Sequence, residues 1–275
     1  MPKLLTFGGM KMSVIITLYK NIPFVDLILK GLKRQTHKDF EVIIAEDDNA
    51  PATLDYLKAV SAQMPYPILH ISHEDLGFRK NVILNKAVAA ASGEFLIFLD
   101  GDCIPHSRLV KEYHRQAAGG ILFAGRRLLM SGRLTQQLLD TGDFGLLSLV
   151  NQVRYGSTRL EDGIYLPFYR KSKSNGLMGC NWGILKKHIV DINGFDEDYT
   201  SYGVGEDVDI EWRLLGNGAR LRSMKHRAIV YHLYHRPKLN EEEEAANANY
   251  DIMKAKQALG NTRCINGLDK HLRKQ

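Results

Sequence analysis

Short β-branched apolar runs alternate with helix-patterned segments over the first hundred residues, and no other feature restricts the possible folds as strongly. Ser13-Val-Ile-Ile-Thr-Leu18 and Phe40-Glu-Val-Ile-Ile-Ala45 each have the length and composition of a buried parallel strand. Between them the chain is apolar at Phe24, Val25, Leu27, Ile28, Leu29 and Leu32, which is one face of a helix. The unit then repeats, with a helix near Thr53 to Gln63, a strand near Ile68 to Ile71, a helix over Asn81 to Ala91 and a strand over Phe95 to Leu99. Strands separated by helices pair in parallel through right-handed crossovers. The expected class is therefore α/β, with a Rossmann-like, mostly parallel open sheet and helices on both faces. Ligands of such sheets bind beyond the carboxyl ends of the strands, where Glu46-Asp47-Asp48 and Asp100-Gly101-Asp102 both fall.

Farther along, Ile121 to Ala124 reads as a strand leading into Arg126-Arg127. A less regular region from about Gly132 to Gly179 holds a helix around Leu138 to Val150 and a basic loop, Tyr169 to Asn175. Regularity returns with a helix from Leu185 to about Ile192, an acidic loop through Asp209, a helix to about Leu215, and strands near Leu221 and over Ile229 to His232. After Pro237 the tail opens with Glu241 to Glu244, passes through an alanine-rich helical stretch, and ends basic at Lys270, Arg273 and Lys274. With no repeat and no low-complexity linker, the expectation is one domain over 1–236 and a helical extension over 237–275. That domain divides into two halves, up to about residue 125 and over 126–236.

At 275 residues and 44% hydrophobic, the chain is long enough to bury a full core. Its net charge of +6 invites a nucleic-acid reading, but 31 acidic residues are interspersed among 37 basic ones, and no RNA-binding aromatic signature or zinc-finger spacing accompanies them. Nucleic acid is excluded as a partner on that ground. The surplus suits an anionic diphosphate, an anionic polysaccharide or a membrane surface. Cys103, Cys180 and Cys264 have no paired spacing, which argues against a disulfide framework or a cysteine zinc site and for a reducing cytoplasm. Met1 to Met12 has no apolar run of signal-peptide length, and no stretch of eighteen apolar residues occurs, so the expected chain is soluble or peripheral.

Three groups of residues carry candidate chemistry. Asp100 and Asp102 follow a five-residue apolar strand, separated by one small residue, so both carboxylates can turn toward one point. Unneutralised they would repel; Mg²⁺ or Mn²⁺ relieves that and accepts oxygen ligands. A bare pair of this spacing is otherwise a solvated turn. Asp102 is the expected direct ligand, with Asp100 on the ribose or in the metal's water shell. Glu206-Asp207 sits in a glycine-bearing loop entering a helix, where acidic residues either cap the helix or serve as a general base. His232 ends a strand and His235 follows three residues later; each is an ordinary partly buried histidine or, with a Mn²⁺-like ion, a nitrogen ligand. His232 is preferred as the third ligand, with His235 as its substitute.

Six segments in order resemble the family 2 glycosyltransferases, which have the GT-A fold: Ser13 to Tyr19, Glu41 to Asp47, Gly77-Phe-Arg-Lys-Asn81, Phe98-Leu-Asp-Gly-Asp102, Asn193 to Glu197 and Gly205-Glu-Asp-Val-Asp209. The chain is similar, within that family, to bacterial surface- and capsular-polysaccharide transferases whose C-terminal half resembles the galactosyltransferase C-terminal domain. The resemblance implies that Thr17 and Tyr19 line a nucleotide pocket, that Glu46 or Asp47 contacts the base or ribose, and that Arg79 approaches the nucleobase or diphosphate. It also implies donor contacts from Asp100 and Gly101, a place for Asn181 near the donor sugar or acceptor, and a sugar ring or the core as the partner of Trp182. Asp207 is the implied base, Glu206 the acceptor-binding residue and His232 the implied third metal ligand. Where the family has Asp-Asp-Gly-Ser, this chain has Glu46-Asp47-Asp48-Asn49, which leaves the base-reading carboxylate open by one position.

The expected reaction is an inverting, Mn²⁺- or Mg²⁺-dependent transfer from a nucleotide-sugar, a UDP-sugar by resemblance, to a saccharide or lipid-linked acceptor in surface polysaccharide biosynthesis. A nucleotidyltransferase making nucleotide-sugars would carry a glycine-rich basic loop after the first strand, but Leu18-Tyr-Lys-Asn-Ile-Pro23 has no glycine. A non-catalytic sugar-binding domain would tolerate loss of the metal or base residues, all of which are present. The basic end after Lys254 is a candidate for contact with anionic lipid, the alternative being a helix packed on the core.

Overall fold

In a computed structural model, which describes residues 9–169, 174, 176–201, 203–236 and 241–272, the side chains of 241–246 excepted, the alternation read from the sequence is realised in order. The elements are β1 (Met12–Leu18), α1 (Ile22–Lys33), β2 (Phe40–Glu46), α2 (Pro51–Ser61), β3 (Ile68–Ser72), α3 (Lys80–Ala90) and β4 (Phe95–Asp100). There follow β5 (Cys103–Pro105), α4 (Leu109–Gln116), β6 (Ile121–Ala124), β7 (Arg126–Leu129), α5 (Gly132–Thr141) and α6 (Leu149–Arg154). The last are β8 (Asn181–Leu185), α7 (Lys186–Asp191), α8 (Val208–Gly216), β9 (Arg220–Ser223), β10 (Ile229–His232) and α9 (Glu241–Ala258). The readings of residues 1–8, of the basic loop at 170–173 and 175, of Pro237, and of Arg273 and Lys274 lie outside the described residues.

Seven strands form one sheet in the order β3-β2-β1-β4-β8-β6-β9. The pairs β3-β2, β2-β1, β1-β4 and β6-β9 are parallel, whereas β8 runs antiparallel to both β4 and β6. A second sheet, β5-β10-β7, pairs β10 antiparallel to β5 and parallel to β7. Successive side chains of a strand leave opposite faces, and the core divides accordingly. Val14, Ile16, Val42, Ile44, Ile97 and Leu99 pack with α1 and α4, while Ile15, Ile43, Leu96 and Phe98 pack with α3, α7 and α8. Strands buried on both faces need apolar residues at successive positions, which is why residues 14–16 of β1, 42–45 of β2 and 95–99 of β4 read as continuous apolar runs. Burying each such side chain contributes about 1.5–3 kcal/mol. α1 starts where the Asn21 side chain accepts the Phe24 amide N–H at 3.2 Å and Pro23 occupies the first turn.

One expected helix is corrected. The apolar spacing of Leu138 to Val150 does not form a single helix, because α5 ends at Gly142 in the left-handed conformation (φ +64°). Asp143 then accepts the Gly145 amide N–H at 2.8 Å, a tight turn over Phe144–Leu147 follows, and α6 begins only after Ser148. Three short strands were not anticipated: β5, β7 and β8. β8 is the consequential one, since it inserts between β4 and β6 and makes the sheet mixed.

At the start of β8, Asn181 joins both sheets. It is fully buried; its Oδ1 accepts the Tyr113 hydroxyl at 2.8 Å, and its Nδ2 donates to the Arg126 and Ala228 carbonyls at 3.0 Å each. Gly125 lies so close that a Cβ there would overlap the carboxamide. The C-terminal segment packs on the core: Lys256 Nζ sits 2.5 Å from Asp196 and 2.6 Å from Asp198, Arg263 donates to the Val190 and Asp191 carbonyls, and Leu268 is fully buried. Among the described residues no helix is long and apolar enough to cross a membrane.

Asn181→Ala would take away the acceptor of the buried Tyr113 hydroxyl, at about 1–3 kcal/mol, and one hydrogen bond from each of the Arg126 and Ala228 carbonyls, at about 0.5–1.5 kcal/mol each, the Ala228 carbonyl still accepting the Arg126 amide N–H. Its expected effect is a melting temperature lower by roughly 4 °C or more, read by differential scanning calorimetry. A melting temperature unchanged from wild type would show that this junction contributes little.

Candidate active site

The carboxyl end of β4 and the loop before α8 bring the acidic residues together. Asp100 closes β4 beside β1, its Oδ1 accepting the Thr17 hydroxyl at 3.1 Å and the Lys80 ammonium at 2.9 Å. Lys80 Nζ also lies 3.4 Å from Glu206 Oε1, so one ammonium at the start of α3 bridges the strand end and the acidic loop. Burial disfavours its charge, but the Asp100 and Glu206 carboxylates outweigh that and hold the Lys80 pKa above its ordinary value. Gly101 fits this turn because a Cβ would run into the Thr17 carbonyl oxygen. Beneath the cluster lies a small cavity with Leu84, Phe98, Trp182 and Phe195 in its walls.

Asp102 faces the second sheet. Its Oδ2 is 3.3 Å from His232 Nε2 and 3.2 Å from His235 Nε2, and Cys103 Sγ donates to its Oδ1 at 3.1 Å. Burial would raise the Asp102 pKa, yet the two histidines reverse the effect and hold it well below the ordinary carboxylate range. Ligand atoms of Asp102, Cys103 and His232 all fall within 4.8 Å of one another. The β5-β10 ladder sets this meeting, since it places Cys103 opposite His232. One carboxylate with one or two imidazoles is a donor set that suits a Mn²⁺-like ion better than Mg²⁺. His232 is the more enclosed partner, with 15% of its side chain exposed against 51% for His235.

Asp207 caps α8, its Oδ1 accepting the Val208 amide N–H at 2.7 Å and its Oδ2 that of Gly179 at 3.4 Å. The capping alternative left by the sequence is thus realised at Asp207. Burial raises the Asp207 pKa although both amides oppose it, and burial likewise raises that of Glu206, where Lys80 opposes and Asp100 and Asp207 add. Glu206 Oε2 is buried without a hydrogen-bond partner among the described residues.

The remaining candidates are placed less uniformly. Glu46 is fully buried, with Oε2 2.7 Å from His70 Nε2, while Asp47 lies 2.6 Å from His73 Nε2 and accepts the Arg79 amide N–H at 2.9 Å. The Arg79 guanidinium donates to the Glu74 carbonyl. Tyr19 is half exposed, its hydroxyl donating to Asp75 at 3.3 Å. Asn181 has its side chain occupied by protein groups, and Trp182 is buried and stacked on Phe98 at 4.1 Å between ring centroids. Both lie inside the sheet, Trp182 also in the wall of the small cavity beneath the acidic cluster. Lys80 carried a visible signal, a second cation in Gly77-Phe-Arg-Lys-Asn81, but no role could be given without its partners.

Residues 13–140 match the family model described as glycosyl transferase family 2, and residues 164–236 match one described as the N-terminal domain of galactosyltransferase. An uncharacterized glycosyltransferase of Nostoc sp. is 30% identical over 117 residues, 41% of this chain and 36% of that protein, so the match spans about a third of its length. A mannosyltransferase from Pyrobaculum calidifontis, solved with GDP-Man and Mn²⁺, superposes with a TM-score of 0.59 at 16% identity, over 93% of this chain and 64% of that one. S. aureus TarS 1-349 in complex with UDP superposes with a TM-score of 0.62 at 16% identity, over 95% of this chain and 68% of that one. At such identities the likeness establishes the GT-A fold.

The raised Asp207 pKa fixes the sign of a stability effect. The folded protein retains a proton that the unfolded chain releases, so this group's stabilising contribution is full below the ordinary carboxylate range and is lost as pH rises through the raised folded value. Asp207→Asn keeps a capping side chain but does not titrate. In thermal unfolding across a pH series, the variant is expected to gain on wild type as pH climbs through that window. A difference constant with pH would contradict it.

Proposed function

Residues 13–140 are a glycosyl transferase family 2 domain, and from that premise we propose that the protein transfers a sugar from a nucleotide-sugar, a UDP-sugar, to a saccharide or lipid-linked acceptor. The transfer inverts the anomeric configuration and serves surface polysaccharide biosynthesis. The observation that carries this reading is the convergence of Asp100-Gly101-Asp102, Glu206-Asp207 and His232 at one end of the sheet. Solved relatives of the same fold hold GDP-Man with Mn²⁺, or UDP, which supports a nucleotide donor and a divalent ion here.

A sugar hydroxyl is a poor nucleophile, and a carboxylate within reach must accept its proton as the oxygen attacks. Asp207 takes that proton: its hydrogen bonds to Val208 and Gly179 fix its position, and its raised pKa makes it a stronger base than an exposed aspartate. The acceptor oxygen bonds to the anomeric carbon while the bond to the diphosphate oxygen breaks on the opposite side. One displacement of this kind inverts the centre and requires no covalent intermediate. Glu206, beside Asp207, holds the acceptor sugar. Asp102 and His232, with His235 at hand, are the residues that would hold the divalent ion. When bound, that ion supplies positive charge for the diphosphate leaving group. Asp100 is held by Thr17 and Lys80 and faces the donor from the side of β1.

The test is release of nucleoside diphosphate from a panel of nucleotide-sugars with Mn²⁺ and candidate acceptors. UDP release supports the reading, whereas pyrophosphate release would identify a nucleotidyltransferase and silence would favour a binding domain. Asp207→Asn should lower turnover by about 10²–10⁴-fold with donor affinity nearly unchanged in calorimetric titration. Ordinary turnover in that variant would remove Asp207 from the role of base. Chelation with EDTA should abolish transfer, and Mn²⁺ should restore it.

A further inference from the structure

Arg126 and Arg127 are adjacent on β7 and meet opposite surroundings, as neighbours on a strand do. Arg126 is buried, and its guanidinium donates to the Gly125 and Gly176 carbonyls and to the Ser174 hydroxyl. Arg127 is partly buried, its Nε is shut away from solvent with no partner, and among the described residues its guanidinium makes no hydrogen bond or ion pair. A charged donor shut away from water and left unsatisfied is unfavourable, and the partly open guanidinium that carries it suits an anion arriving from outside.

Its position says which anion. In the parallel β7-β10 ladder Arg127 lies opposite Val230 and Leu129 opposite His232, and residues two apart share a face. Arg127 is therefore on the His232 face of the small sheet, one step back from the histidine beside Asp102. Burial works against its charge, while Cys180, Cys103, Asp102 and Asp100, in that order, favour it and raise its pKa. The same arginine opposes the rise in the pKa of His235 that Asp102 causes. Within electrostatic reach of the Asp100-Gly101-Asp102 turn, a planar guanidinium with free donors has the shape to take phosphate oxygens in pairs.

We propose that Arg127 binds the diphosphate of the nucleotide-sugar donor, its guanidinium bonding to phosphate oxygens next to Asp102 and His232. This rests on the glycosyltransferase reading above and adds a cationic side chain to a site that the acidic motif alone makes hostile to phosphate. The contact outlasts the transfer, because the departing group is the nucleoside diphosphate itself.

Calorimetric titration of UDP and GDP in the presence of Mn²⁺ tests it on the full chain, as wild type, Arg127→Met and Arg127→Lys, with each variant's melting temperature checked first. The nucleotide that wild type binds should bind Arg127→Met about tenfold more weakly or worse, and Arg127→Lys should recover part of the loss. Mn²⁺ titrated alone should bind Arg127→Met at least as well as wild type, since a repelling charge has gone. Unchanged diphosphate affinity in folded Arg127→Met overturns the inference. So does a parallel loss of Mn²⁺ affinity, which would mark a collapsed site. If wild type binds neither nucleotide, it is the glycosyltransferase reading that fails.

Discussion

Four carboxylates, those of Asp100, Asp102, Glu206 and Asp207, crowd one end of the sheet in a partly buried setting, and their mutual repulsion is the constraint that the rest of the site must meet. The protein answers it in two ways. Lys80 stands between Asp100 and Glu206, and the pair of imidazoles from His232 and His235 stands against Asp102. Where the neutralisation is complete, as at Asp102, the carboxylate stays ionised; where it is not, as at Glu206 and Asp207, burial raises the pKa. One cluster therefore holds both a ready ligand for a cation and a ready acceptor for a proton.

The scaffold makes this arrangement possible by crossing two sheets. The large sheet delivers Asp100 at the end of β4, and the small one delivers His232 opposite Cys103, the residue after Asp102. Asn181 fastens the two, since its carboxamide spans from α4 to the backbone of β7 and to the residue before β10. A polar side chain in so apolar a place is tolerated because all its bonds are made. The distance between the metal-motif turn and the histidine depends on that junction, although Asn181 touches neither.

The acidic loop is supported from behind by the C-terminal segment. Lys256 binds Asp196 and Asp198, His271 lies 2.6 Å from Glu197, and Asn249 donates to the Ser201 carbonyl. From the other side Asn81 donates to the Asp196 and Gly205 carbonyls, and the Asp209–Arg213 pair anchors α8 to the Ile192 and Gly194 carbonyls. Glu206 and Asp207 thus sit on a loop gripped along both flanks, which fixes the position of both carboxylates. Of the cations in this segment, Lys256 and Lys270 lie against carboxylates of the core.

The sequence by itself determined the class of fold and the end of the sheet where the chemistry lies. Period and β-branching report burial on both faces of a strand, and the carboxylates at strand ends report where that burial stops. Local signals also announced the metal motif, the acidic loop and the strand-end histidine. Only the tertiary structure decided which of them meet: that His232 and His235 share one oxygen of Asp102, that Lys80 bridges Asp100 and Glu206, that Asn181 is a structural junction, and that Arg127 has no hydrogen-bond or ion-pair partner among the described residues. β8 escaped notice because its direction comes from a long return of the chain, and the helix expected over Leu138 to Val150 was broken by one left-handed glycine. The physical reason is the same throughout. Patterning records whether a residue faces the core, which is a property of its own element, whereas a partner some tens to a hundred and more residues away is set by how the elements pack.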